Sequence, residues 1–96
     1  MLAYHTQGSV IYHTYGGLQL PEADVLAEEF AAASGYSVEE VPAESANAGF
    51  KDWFVSRFRR PGFTIEAGRG ENPLPESELP ALIQENAPIW ALAMLA

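Results

Sequence analysis

The sequence predicts an α/β fold, a sheet with helices packed against it, on three observations. Short runs of apolar alternation recur along the chain, stretches with apolar residues at helical spacing fall between them, and Pro, Gly and Ser punctuate the boundaries. No internal repeat, low-complexity tract or linker breaks that order. At 96 residues the chain is one small domain, long enough for a single core but short for an enzyme with a deep cleft, so a fragment of something larger is one reading.

The opening reads as strand, turn and strand: residues 2–5, a corner at Gln7-Gly8, then residues 10–15 up to the Gly16-Gly17 break. A domain that begins directly on a buried-looking strand is expected to continue upstream, as the back half of a larger fold. Pro21-Glu22-Ala23-Asp24 is a helix start, with Pro in the first turn and acids where the helix dipole favours them. Val25, Leu26 and Phe30 follow in helical period, and Ser34-Gly35 ends the helix. Residues 36–41 alternate as a third strand, and Glu39-Glu40 marks it as an edge. Residues 42–49 form an Ala/Ser/Asn-rich loop. Phe50, Trp53, Phe54 and Phe58 give an aromatic-faced helix that stops before Pro61. Next come a strand at residues 63–66, a loop at 69–75 and a final helix from about Ser77. Leu79, Leu82, Ile83, Trp90 and Met94 are its expected apolar face; Pro80 fits its first turn, whereas Pro88 is expected to kink or split it.

Composition excludes several functions. Apolar residues are 48% of the chain and charged ones 19%, which is globular and apolar enough to expect a partner surface. A net charge of -8 with five Lys and Arg argues against nucleic acid, because phosphate binding needs basic residues in numbers. With no cysteine, disulfides and thiolate zinc clusters are out, and any metal must use His and carboxylates. The first residues lack signal-peptide regions, and the apolar stretch near the C-terminus, cut by Pro88, is too short to span a bilayer.

The chemistry concentrates in two places. In Arg60-Pro61-Gly62-Phe63-Thr64-Ile65-Glu66-Ala67-Gly68, Phe63 and Ile65 share one strand face and Thr64 and Glu66 the other, so the strand delivers a carboxylate to a glycine-rich corner. From position alone, Glu66 is either a catalytic base or a solvated rim acid. His5 closes the first strand before a polar turn, where an imidazole is either a zinc ligand or a hydrogen-bonded rim residue. His13 lies too far along a turning chain for a tight two-His site and reads as structural. Asp52 suits a helix first turn, and Lys51 reads on its own as a solvated charge.

Tyr4-His5-Thr6-Gln7-Gly8, Gly49-Phe50-Lys51-Asp52-Trp53-Phe54, the Arg60–Gly68 run above and Asn72-Pro73-Leu74-Pro75 follow one another in this order. Together they resemble the C-terminal part of the bacterial zinc carboxypeptidases, with the gamma-D-glutamyl-diamino-acid endopeptidases, which cut cell-wall peptides, as the nearest branch. The resemblance covers essentially the whole chain. It implies a partial zinc-carboxypeptidase-like mixed sheet with helices packed on it, residues 1–96 being the C-terminal portion of a catalytic domain whose N-terminal half lies elsewhere. It further implies that His5 is the third ligand of one zinc ion and that Glu66 is the general base toward the attacking water. Thr64 is implied as a wall of the pocket for the residue after the cut, with Lys51 at its base favouring an acidic group.

The resemblance places a His-x-x-Glu pair of zinc ligands and the carboxylate-binding arginines upstream, and this chain contains no counterpart to them. Nor does Glu44-Ser45-Ala46-Asn47-Ala48 hold the mobile Tyr that many relatives carry there. The 96 residues alone are therefore expected to be inactive. The implied partners are a peptide substrate, with a cell-wall peptide such as a peptidoglycan stem peptide as the candidate, and the upstream half of the same domain, with self-association of the isolated chain. Two rivals stand beside this reading. One is a non-catalytic binding or regulatory module that keeps the fold without a full zinc site, and the other is a structural domain in which His5 and Glu66 never meet.

Overall fold

The computed structural model describes residues 1–46 and 48–96. In chain order the elements are β1 (Leu2–His5), β2 (Val10–Tyr12), α1 (Pro21–Ser34), β3 (Ser37–Val38), a 3-10 turn (Ala43–Ser45), α2 (Phe50–Phe58), β4 (Phe63–Glu66), a second 3-10 turn (Glu76–Glu78) and α3 (Leu79–Leu95). The strands form one mixed sheet in the order β1-β4-β2-β3. β1 runs parallel to β4 and β2 parallel to β3, while β2 and β4 are antiparallel. The chain is thus the expected α/β layer, with β1 and β3 at the edges of the sheet.

Local signals place the helices. α1 begins on Pro21 with Glu22 and Asp24 in its first turn, and it ends on Gly35 at φ 82°, whose N–H donates to the Ala31 carbonyl at 2.9 Å. α2 ends on Arg59 in the left-handed region, two residues before Pro61. The alternation of β4 sends Phe63 and Ile65 into the core with Ile11 of β2. Ala27 and Phe30 of α1 and Ile89 of α3 close over them. Ile11, Ile65 and Ile89 are fully buried, and each such side chain stabilises the fold by about 1.5–3 kcal/mol.

Four expectations are revised. α3 runs unbroken through Pro88 instead of splitting there. The proline deletes a single backbone donor, and the turns around it are anchored by buried Asn86 and Ile89, so tertiary burial outweighs the local break. The buried face of α3 follows Leu82, Asn86, Ile89 and Ala93, leaving Leu79, Ile83 and Met94 exposed. Asn86 disguised this face as polar in the sequence. On α2, likewise, Lys51, Asp52 and Val55 are buried, while Phe50, Trp53 and Phe58 point outward and pack edge to face on one another, ring centroids 5.6 Å apart. The third strand shrinks to two residues, and the loop at 42–49 includes a 3-10 turn, its Asn47 lying outside the described residues. Among the described residues no helix is long and apolar enough to cross a membrane.

Candidate active site

Parallel pairing of β1 with β4 sets Ala3 opposite Thr64 and His5 opposite Glu66. Register partners on neighbouring strands project to the same face, here the face turned away from Phe63 and Ile65. Both strands end at this point. The chain is then drawn into two interlocked corners: Ala67 N–H donates to the His5 carbonyl at 2.7 Å, and Gly8 N–H to the Gly68 carbonyl at 2.8 Å. Gly68 has φ 83°, and a Cβ there would stand 2.6 Å from Leu74 Cδ1, so the corner after Glu66 needs glycine.

A cleft of about 300 Å³ opens over this face. His5, Glu66, Thr64 and Lys51 all line it, which brings together the four residues singled out from the sequence. The reading in which His5 and Glu66 never meet is therefore overturned. A larger groove of about 880 Å³, lined mainly by apolar residues such as Met1, Leu2, Val25, Leu26 and Ala93 together with Glu22 and Arg60, holds none of these groups. His5 is exposed, Glu66 is half-buried, and the His5 ring makes no hydrogen bond among the described residues.

Lys51 is not the solvated charge that its position alone suggests. It is 2% exposed, its ammonium lies 2.6 Å from Asp52 Oδ1, and it also donates to the Thr14 carbonyl. Asp52 Oδ2 in turn accepts the Gly49 N–H at 2.9 Å, capping α2. One carboxylate thus starts the helix and balances the cation at the base of the cleft. Asp52 Oδ1 and the Thr14 carbonyl together occupy two of the three Lys51 N–H groups.

Tyr12, which sequence reasoning passed over, lines the same cleft opposite Thr64. Burial, then the charges of Glu39 and Glu66, push its phenol above the usual tyrosine range. Its alternation with the buried Ile11 was visible in the sequence, but its pairing with β4 was not. His13 lies outside the cleft: its Nε2 meets Asp24 Oδ1 at 2.8 Å, and its ring stacks on Phe63. Among the described residues no three His, Asp or Glu side chains converge to hold a metal ion.

Comparison with sequence models of known protein families finds no match. A gamma-D-glutamyl-L-diamino acid endopeptidase from Lysinibacillus sphaericus is 52% identical over 87 residues, an alignment covering 88% of this chain and 21% of that protein. The chain is similar to one segment of that endopeptidase. An uncharacterized protein, YqgT, of Bacillus subtilis (strain 168) is 43% identical over 75 residues, covering 78% of this chain and 20% of its own length. The chain spans about a fifth of the length of the curated relatives it matches. The likeness is to a peptidase and names the same endopeptidase branch that the motifs pointed to.

Proposed function

We propose that this chain is the C-terminal portion of a carboxypeptidase-type zinc metallopeptidase that hydrolyses peptide bonds in peptidoglycan stem peptides. The observation that carries the reading is the register pairing of His5 with Glu66 at the ends of two parallel strands, opening onto a cleft with Thr64 and Lys51. The named activity of the Lysinibacillus sphaericus relative supports the substrate class.

His5 suits the role of one zinc ligand, since it is an exposed imidazole at a strand end with both ring nitrogens free of protein partners among the described residues. Among the described residues no three metal donors converge, and in this reading the other ligands come from the upstream half of the domain. Zinc, when bound, supplies Lewis-acid polarisation of the scissile carbonyl and of the attacking water. A Glu66 carboxylate oxygen takes the proton from that water and passes it to the leaving amine. Thr64 walls the pocket for the residue after the cut. The third Lys51 N–H offers an acidic side chain a charge-assisted contact, tempered by Asp52.

The test is a chimaera in which this chain replaces the matching fifth of the Lysinibacillus sphaericus endopeptidase. Cleavage of the gamma-D-glutamyl-L-diamino acid bond is expected, with Glu66→Gln lowering kcat by about 100- to 10,000-fold and His5→Ala lowering bound zinc. A full rate with Glu66→Gln would sink the catalytic assignment. A second reading, a non-catalytic binding or regulatory module, draws on the absence of three converging metal donors among the described residues. A folded chimaera that binds the peptide without cleaving it would favour that reading.

A further inference from the structure

Asn72 opens the Asn72-Pro73-Leu74-Pro75 run, for which the mechanism above has no task. Its side chain holds the residue after His5 at two points: Thr6 Oγ1 donates to Asn72 Oδ1 at 2.7 Å, and Asn72 Nδ2 donates to the Thr6 carbonyl at 3.3 Å. The two ends of one planar amide are thus spent on one residue, which fixes direction as well as distance.

The place matters because the sheet stops here. The last register pair of β1 is His5 with Glu66, and β1 is an edge strand whose one neighbour among the described residues is β4. Past that pair, the His5 end of β1 is held by the corner that follows β4. Ala67 N–H reaches the His5 carbonyl, and Gly68 O receives both Gly8 N–H and Ser9 Oγ. Gly68 lets the chain fold back closely over Leu74, and the returning loop brings Asn72 against Thr6. The Glu66 side of the site therefore reaches across to grip the His5 side. An exposed imidazole with no hydrogen bond of its own depends on its backbone for orientation, and a metal ligand needs that orientation held to about 0.5 Å.

We propose that Asn72 is a positioning residue that, through its paired hydrogen bonds to Thr6, holds the end of β1 and so orients the His5 imidazole relative to Glu66. The proposal rests on the roles assigned to His5 and Glu66 above, but its readout, side-chain order, needs neither zinc nor substrate.

The test is NMR relaxation of the histidine ring Cε1–H groups in the 96-residue chain and in Asn72→Ala, Thr6→Val and Thr6→Ser. The expected result is a His5 ring order parameter that is clearly lower in Asn72→Ala and in Thr6→Val than in the parent chain. Thr6→Ser keeps the hydroxyl and should keep the order. His13, held separately by Asp24, should not change in any variant. An unchanged His5 in folded Asn72→Ala overturns the proposal, as does a His5 ring already mobile in the parent or a His13 that loosens equally. Should Asn72→Ala fail to fold, the contrast between Thr6→Val and Thr6→Ser decides. Loss of the catalytic assignment in the chimaera would leave these ring measurements untouched, so the two failures are distinguishable.

Discussion

The Tyr4 hydroxyl donates to Asn86 Oδ1 at 3.1 Å, tying the strand that ends on His5 to the buried side of α3. Asn86 Nδ2 donates onward to the Tyr36 hydroxyl at 3.0 Å and to the Leu82 carbonyl at 2.9 Å. Trp90 Nε1 donates to Tyr4, and Tyr36 donates to Glu85 Oε1 at 2.7 Å. At 2% exposure Asn86 has its amide fully engaged, and it joins two strand-side tyrosines to one helix.

Replacing Asn86 with Ala should cost about 3 kcal/mol, because buried hydroxyl and carbonyl groups lose partners together. Urea unfolding measures it. Gln84→Ala, exposed on the same helix, should stay within about 0.5 kcal/mol. Equal effects at both positions would show that the network adds nothing to stability.

Lys51→Met should destabilise by about 3–5 kcal/mol, since it strands the buried Asp52 carboxylate without its cation. The double variant Lys51→Met/Asp52→Leu should recover part of this loss, short of the α2 cap that Asp52 also provides. A double-mutant cycle by chemical denaturation reads the coupling. Strict additivity would mean that the two charges act independently.

Stability should fall on the alkaline side through the tyrosines. The phenols of Tyr4, Tyr12 and Tyr36 are each raised above their ordinary value of 10.0, burial being the first cause in every case. The folded state therefore holds protons that the unfolded state releases. Their contribution is complete below the unfolded value and is lost as pH climbs through the raised folded values. Tm scans from pH 8 to 12 should decline above about pH 10, with a shallower slope in Tyr36→Phe. An unchanged slope would remove Tyr36 from the account.

The isolated chain should self-associate. Trp53 at 54% exposure, Ile83 at 48% and Met94 at 81% present apolar surface to water, and β1 leaves one strand edge without a partner strand among the described residues. Sedimentation velocity across a concentration series should show species larger than 10.4 kDa, reduced by Ile83→Lys with Met94→Lys. A monodisperse monomer at high concentration would count against an incomplete fold.

Much of the secondary structure was legible because its signals are local. Pro21 and Gly35 bound α1 through backbone dihedrals that depend on those residues alone, and the alternation of Phe63 to Glu66 was enough to put the acid on the face opposite the core. The faces of α2 and α3 were misread because apolar spacing reports a stripe without saying what covers it. In both helices the buried stripe carries polar members, Asn86 on α3 and the Lys51–Asp52 pair on α2, whose burial depends on partners distant in sequence.

By itself the sequence determined the bounds of α1 and α2, that Glu66 closes a strand beside a glycine corner, and which four residues to weigh as candidates for chemistry. Only the tertiary structure decided that β1 pairs in parallel with β4, that His5 therefore stands beside Glu66, and that Lys51 is buried against Asp52 and Thr14. The division is physical. Dihedral preferences and caps act within a few residues, whereas strand pairing and the burial of a charge are decided by the free energy of the whole packed layer.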